Sequence, residues 1–231
     1  MNMSLEKRLA DVRECIAKSA EEAGRNADEI TLIAVTKTYE PDVINEAIRL
    51  GVTDIGENKV QEIQRKYDAV LPVKWHLIGH LQSNKVKYII DKVSLIHSVD
   101  SVSLMDEIER QAKKHGIKMD ILIQVNIAGE ETKFGVSPEG VYTLLEHAAD
   151  LECVKIRGLM GILPKNDSNV INRLHFHNIK QLYLDISRKK YDNVCMELLS
   201  MGMSGDFCDA VLEGSNMVRV GSAIFGERKY V

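Results

Sequence analysis

The sequence predicts an α/β fold, a single (β/α)₈ barrel of the TIM type over residues 1–231 with an extra N-terminal helix. Three observations predict it. Short apolar runs alternate with amphipathic stretches, and eight such runs can be marked along the chain. Several runs are apolar on both alternating faces, as in Leu32-Ile33-Ala34-Val35 and Ile121-Leu122-Ile123, which suits parallel strands covered by helices outside and by packed side chains inside. Polar residues gather where these runs end, at the strand ends where barrels of this kind carry their sites.

The opening helix follows from Leu5, Leu9, Val12, Ile16, Ala20 and Ala23, which recur at three- and four-residue steps as one stripe, with Gly24 as its stop. The strands are expected at 30–37, 52–58, 74–80, 93–100, 119–126, 155–162, 196–203 and 217–224. Helical patterns fall near 41–50, 59–70, 83–91, 101–115, 137–149, 169–190 and 206–213. An open doubly wound sheet is the competing arrangement, but no GxGxxG turn follows the first strand. Only four prolines occur, and no linker or low-complexity segment divides the chain.

Apolar residues make up 45% and charged residues 28%, as in ordinary globular domains. A net charge of −4 argues against nucleic acid as a general partner, because neutralising phosphates needs a basic surface. The runs Lys113-Lys114 and Arg188-Lys189-Lys190 read as solvated helix ends. The start has no apolar signal core and no run reaches membrane length, so a cytoplasmic protein without membrane association is expected. Cys15, Cys153, Cys195 and Cys208 show no paired spacing and read as reduced thiols.

At the strand ends, Lys37 stands out. It is in phase with Ile33 and Val35, so it faces the barrel interior if they do. A lysine in an apolar surround loses its proton readily and becomes a nucleophilic amine for Schiff-base chemistry; a lysine reaching out to solvent from a strand end is the plainer alternative. Gly202-Met203-Ser204-Gly205-Asp206 and Gly221-Ser222 follow the seventh and eighth strands, where loops of these barrels commonly cradle phosphate. Either alone reads equally as a turn. Arg219 lies between Val218 and Val220, on the face shared by Met217 and Gly221. A buried arginine needs a partner, either a barrel carboxylate or the pyridine nitrogen of pyridoxal 5′-phosphate (PLP). A reactive lysine, a phosphate cradle and an inward arginine together describe PLP; a barrel for another phosphorylated metabolite would leave Lys37 without a role. His76 reads either as a site residue or as a core histidine. Glu131 and Lys133 read as mouth residues facing water, and His175 and His177 as surface residues rather than a metal pair.

Six segments carry a resemblance: Ala34-Val35-Thr36-Lys37-Thr38, Gly56-Glu57-Asn58-Lys59-Val60-Gln61-Glu62, Trp75-His76-Leu77-Ile78-Gly79-His80-Leu81-Gln82-Ser83-Asn84-Lys85, Arg157-Gly158-Leu159-Met160, Leu199-Ser200-Met201-Gly202-Met203-Ser204 and Val218-Arg219-Val220-Gly221-Ser222-Ala223-Ile224-Phe225-Gly226. In this order, from about residue 4 to 228, the chain resembles the pyridoxal-phosphate homeostasis proteins, a family that is similar to the N-terminal barrel of alanine racemase. The resemblance is weakest across 163–195, and Gly161 stands where the family pattern has threonine or cysteine. It implies PLP on Lys37, phosphate contacts from Ser204, Gly221 and Ser222, and a pyridine contact from Arg219. The full set of cofactor-binding candidates adds Asn58, His76, Ser200 and Met203. No catalytic residue and no metal ligand is assigned.

The resemblance further implies a role in binding, buffering or delivering PLP, and so in amino-acid and vitamin B6 balance; PLP-dependent apoenzymes as partners and a monomeric state are further expectations. The rival reading is a single-domain PLP-dependent amino-acid racemase. Racemisation by two bases needs groups on both faces of the cofactor, and in alanine racemase the tyrosine opposite the lysine comes with a second, β-rich domain. No such domain follows the eighth strand here, and only Tyr39 sits just past a strand end, so binding without catalysis is expected.

Overall fold

The computed structural model describes residues 3–130, 134–164 and 169–226. Its centre is a closed barrel of eight parallel strands in chain order: β1 (Thr31–Val35), β2 (Asp54–Glu57), β3 (Lys74–Leu77), β4 (Leu95–Val99), β5 (Met119–Val125), β6 (Val154–Gly161), β7 (Val194–Ser200) and β8 (Met217–Val220). The helices are α1 (Leu5–Glu22), α2 (Pro41–Arg49), α3 (Val60–Lys66), α4 (Val102–His115), α5 (Gly140–Ala148), α6 (Asn169–Ser187), α7 (Phe207–Leu212) and α8 (Ser222–Phe225). The fold is the expected TIM barrel with an added N-terminal helix. Among the described residues, no helix is long and apolar enough to cross a membrane.

Ser4 caps α1 by accepting from the Lys7 N–H at 3.2 Å, and Leu5, Leu9, Val12, Ile16 and Ala20 form its buried face. Gly24 ends it with a positive φ of 68°, which only glycine adopts at little cost. The helix is fastened to the far end of the chain: Arg8 Nε donates to the Ile224 carbonyl at 2.6 Å, and Arg25 Nη1 donates to the Ser215 carbonyl at 2.7 Å.

The main apolar core lies between the barrel wall and the helices. A smaller cluster, Ile33, Leu95, Leu122, Met160 and Met217, fills part of the interior. The rest of the interior is polar, and that polar layer positions the site.

Three expectations need correction. The run 217–224 is not all strand: Gly221 turns the chain with φ −116° and ψ −79°, and Ser222–Phe225 is helical. The segment near 83–91 is a 3₁₀ turn over Ser83–Tyr88. The four cysteines are not all free thiols. Cys15 of α1 and Cys208 of α7 form a disulfide with Cα atoms 6.5 Å apart, while Cys153 and Cys195 are unpaired. Such bonds are rare in reducing compartments, so the cysteine pattern lends no support to a cytoplasmic location.

Candidate functional site

A cavity of about 340 Å³ opens where the strands end, lined by Val35, Lys37, Asn58, Ile78, Ile162, Met203, Ser204, Gly205, Arg219, Gly221 and Ser222. It brings together seven of the nine candidate residues: Lys37, Asn58, Met203, Ser204, Arg219, Gly221 and Ser222. His76 and Ser200 do not line it. Glu131 and Lys133 lie outside the described residues.

Strand alternation carries Lys37 into the cavity. Ile33 belongs to the interior cluster, and Val35 and Lys37 line the cavity above it. The intervening Thr36 faces the helix layer, where its Oγ1 donates to Glu57 Oε1 at 2.8 Å. Lys66 Nζ donates to the Thr36 carbonyl at 3.1 Å and to Glu57 Oε1 and Glu62 Oε2, both at 2.8 Å. Thr36, Glu57 and Lys66 are fully buried. Burial pushes the Glu57 carboxyl up, with Lys66 opposing it. This clamp fixes the backbone immediately before Lys37.

The loops after β7 and β8 meet each other. Gly202 has φ 88°, and a Cβ there would come within 2.6 Å of Ala210 Cβ, so only glycine makes this corner. Asp206 Oδ1 accepts from the Met203 N–H at 2.5 Å and closes the next turn. Ser204 Oγ then accepts from the Gly221 N–H at 3.0 Å. The Ser204 hydroxyl and the Gly221 N–H therefore meet on one wall of the cavity, donors of the kind an anionic oxygen needs.

Arg219 is 4% exposed. Its Nη1 donates to Ser200 Oγ at 2.6 Å and its Nη2 to the Gly161 carbonyl at 2.9 Å. Among the described residues, no carboxylate contacts it. Burial pulls its pKa down to about 10, against the nearby charge of Asp206. Gly161 thus contributes its main chain; a Cβ there would instead collide with Ile179 of α6.

His76 Nε2 lies 2.9 Å from Asp54 Oδ1, and His76 Nδ1 lies 3.0 Å from His97 Nε2. His97 Nδ1 lies 3.1 Å from Ser200 Oγ. His76 and Ser200 are therefore linked to the cavity through Arg219. The apolar walls Val35, Ile78 and Ile162 were not among the candidates, although Val35 shares the phase of Lys37 and Ile78 that of His76. Tyr39 donates its hydroxyl to the Gly226 carbonyl at 3.0 Å and packs on Phe225 with ring centres 4.7 Å apart. His177 lies 3.6 Å from Glu213, and no metal-binding cluster occurs among the described residues.

The model of a family described as "Alanine racemase, N-terminal domain" matches residues 12–229. A pyridoxal phosphate homeostasis protein of Aquifex aeolicus is 46% identical over 225 residues, covering 96% of this chain and 98% of its own. The solved structures of PipY from Synechococcus elongatus cover 96% of this chain and 100% of their own. The one without PLP is 33% identical with a TM-score of 0.87. The one with PLP bound is 31% identical with a TM-score of 0.84.

Proposed function

Because the chain belongs to the alanine racemase N-terminal domain family, and within it groups with the pyridoxal phosphate homeostasis proteins, we propose that it binds PLP, holds it as a Schiff base on Lys37, and buffers or delivers it. The observation that carries this reading is the convergence in one cavity of Lys37, Arg219 and the facing loops at Ser204 and Gly221. The cavity volume of about 340 Å³ suits a single small ligand.

Each residue has a chemical task. The Lys37 amine would hold PLP through the aldehyde carbon that the cofactor supplies, the C=N bond forming with loss of water, and the Thr36–Glu57–Lys66 clamp holds that residue's backbone in place. The Ser204 hydroxyl and the N–H groups of Gly205, Gly221 and Ser222 would hold the phosphate. Val35, Ile78 and Ile162 would cover the ring. Arg219 would donate to the pyridine nitrogen, and since a guanidinium has no acceptor atom, that nitrogen would stay unprotonated.

An unprotonated ring is a poor electron sink, which suits carrying PLP rather than transforming amino acids with it. The Tyr39 hydroxyl, committed to the Gly226 carbonyl, supplies no obvious second base. On this reading the chain acts as a single-domain monomer of the cytoplasm. Its partners are PLP and the PLP-dependent apoenzymes that receive it.

The test is a PLP titration followed by visible absorbance. A new band in the wild type that is absent in Lys37→Ala supports the reading. PLP bound with an unchanged spectrum in both proteins would refute the covalent link, and no binding would refute the function.

A further inference from the structure

Five side chains cross the barrel interior as one continuous hydrogen-bonded chain. Arg219 Nη1 donates to Ser200 Oγ at 2.6 Å, and Ser200 Oγ lies 3.1 Å from His97 Nδ1. His97 Nε2 lies 3.0 Å from His76 Nδ1, and His76 Nε2 lies 2.9 Å from Asp54 Oδ1. None of the five is more than 5% exposed. At the far end, Thr53 Oγ1 donates to Asp54 Oδ2 at 2.8 Å.

The chemistry of the two ends orients everything between them. An ionised carboxylate only accepts and a guanidinium only donates. Asp54 therefore accepts a hydrogen bond from His76 Nε2–H. With one proton on each ring, His76 offers Nδ1 as acceptor, so His97 donates from Nε2–H. The His97 Nδ1 lone pair accepts a hydrogen bond from the Ser200 hydroxyl, and Ser200 Oγ accepts from Arg219. Every atom is used. In the opposite His97 tautomer, two lone pairs would face each other at the 3.0 Å contact, and Ser200 would receive two donors with its own proton unplaced. Burial first, with the nearby charge of Arg219, holds the His97 imidazole well below its usual range.

We propose that Asp54, His76, His97 and Ser200 are positioning residues for Arg219. With Ser200 and the Gly161 carbonyl each accepting from one guanidinium nitrogen, the plane of the group is fixed at the wall of the cavity that Arg219 lines. The aligned chain ends in the Asp54 charge and balances a buried cation that no carboxylate touches among the described residues, Asp206 acting only through space. The chain is not a proton wire to the ligand, because the guanidinium keeps its proton at neutral pH. The site therefore selects a ligand that presents an unprotonated acceptor to Arg219. The effect on the ligand rests on the PLP reading above, whereas the proton arrangement does not.

Two measurements test it. Two-bond ¹H–¹⁵N spectra of the unliganded wild type are expected to show both rings carrying a proton at Nε2 and none at Nδ1, with His97 not titrating between about pH 5 and about pH 8. An Nδ1–H on either ring, or a titration of His97 in that range, overturns the proposal. The second is a double-mutant cycle on the PLP dissociation constant. Asp54→Asn keeps an oxygen for His76 and removes the charge. It is expected to weaken PLP binding about five- to tenfold with Arg219 present, and less than about twofold in an Arg219→Gln background. Equal losses in both backgrounds overturn the coupling. Should Asp54→Asn not fold, or the wild type not bind PLP, the tautomer spectrum alone decides; the second outcome defeats the functional reading separately.

Discussion

Replacing Arg219 with methionine separates what this residue costs the fold from what it contributes to the site. The drop of its pKa to about 10 corresponds to a charge-burial cost of about 3 kcal/mol. Because the folded value is the lower one, this cost is fully present below about pH 10 and fades as pH rises toward the unfolded value. Arg219→Met removes it at neutral pH and keeps most of the volume. Against that gain, the Gly161 carbonyl loses its donor, at about 1–3 kcal/mol for a buried acceptor left unpaired. Ser200 keeps its bond to His97 and loses only an incoming one. The two sides nearly cancel, so the unliganded variant is expected to unfold in urea within about 2 kcal/mol of the wild type. The ligand has no such compensation. Losing one charge-assisted bond to the ring nitrogen costs about 1.5–3 kcal/mol, or about 10- to 150-fold in PLP affinity. Urea unfolding without ligand and a PLP titration measure both quantities. A variant destabilised by more than about 4 kcal/mol with unchanged PLP affinity would refute the reasoning.

Other predictions follow from the same contacts. PLP is expected to bind far more tightly than pyridoxal, and Ser204→Ala to narrow that gap; equal wild-type affinities for the two vitamers would rule out a phosphate cradle. Lys66→Met leaves Glu57 buried and unpaired and is expected to destabilise the protein by about 3–5 kcal/mol, with Glu57→Gln restoring part of the loss in the double variant; full stability of the single variant counts against the clamp. Cys15→Ser removes a cross-link that spans 193 residues and is expected to cost about 2–4 kcal/mol in non-reducing unfolding experiments; an unchanged midpoint contradicts a formed bond. No significant racemisation of alanine is expected from the purified protein with PLP, and turnover abolished by Lys37→Ala would make it an enzyme.

The barrel was legible because each strand announces itself twice, by apolar content and by the polar residue that ends it. Phase alone placed Lys37 and Arg219 in one cavity: Ile33 and Met217 both face the interior, and each residue in step with them does too. Phase also overran. It could not see that Gly221 leaves the strand conformation, since a glycine between apolar residues reads equally as strand or turn. At position 161, where glycine replaces the family's threonine or cysteine, the wall uses the carbonyl, a contribution that side-chain patterns do not reveal. The Cys15–Cys208 bond was invisible, because it depends on α1 lying against α7 and no local pattern encodes that approach. The Glu57–Lys66 pair and the His76–His97 contact were missed for a related reason. Each residue sits at an interpretable phase, but a contact between elements needs their relative height, which alternation does not supply. His97, two residues from the inward Leu95, carried the only available hint.

The claim on which everything else rests is that Lys37 is the amine that holds PLP, and borohydride tests it most directly. Reduction of the PLP-loaded protein makes the linkage permanent, and peptide mass mapping then locates it among the chain's lysines. The account predicts a single pyridoxyl adduct on Lys37, blocked in Lys37→Ala. An adduct confined to another lysine, or no adduct on a protein that demonstrably binds PLP, would contradict it.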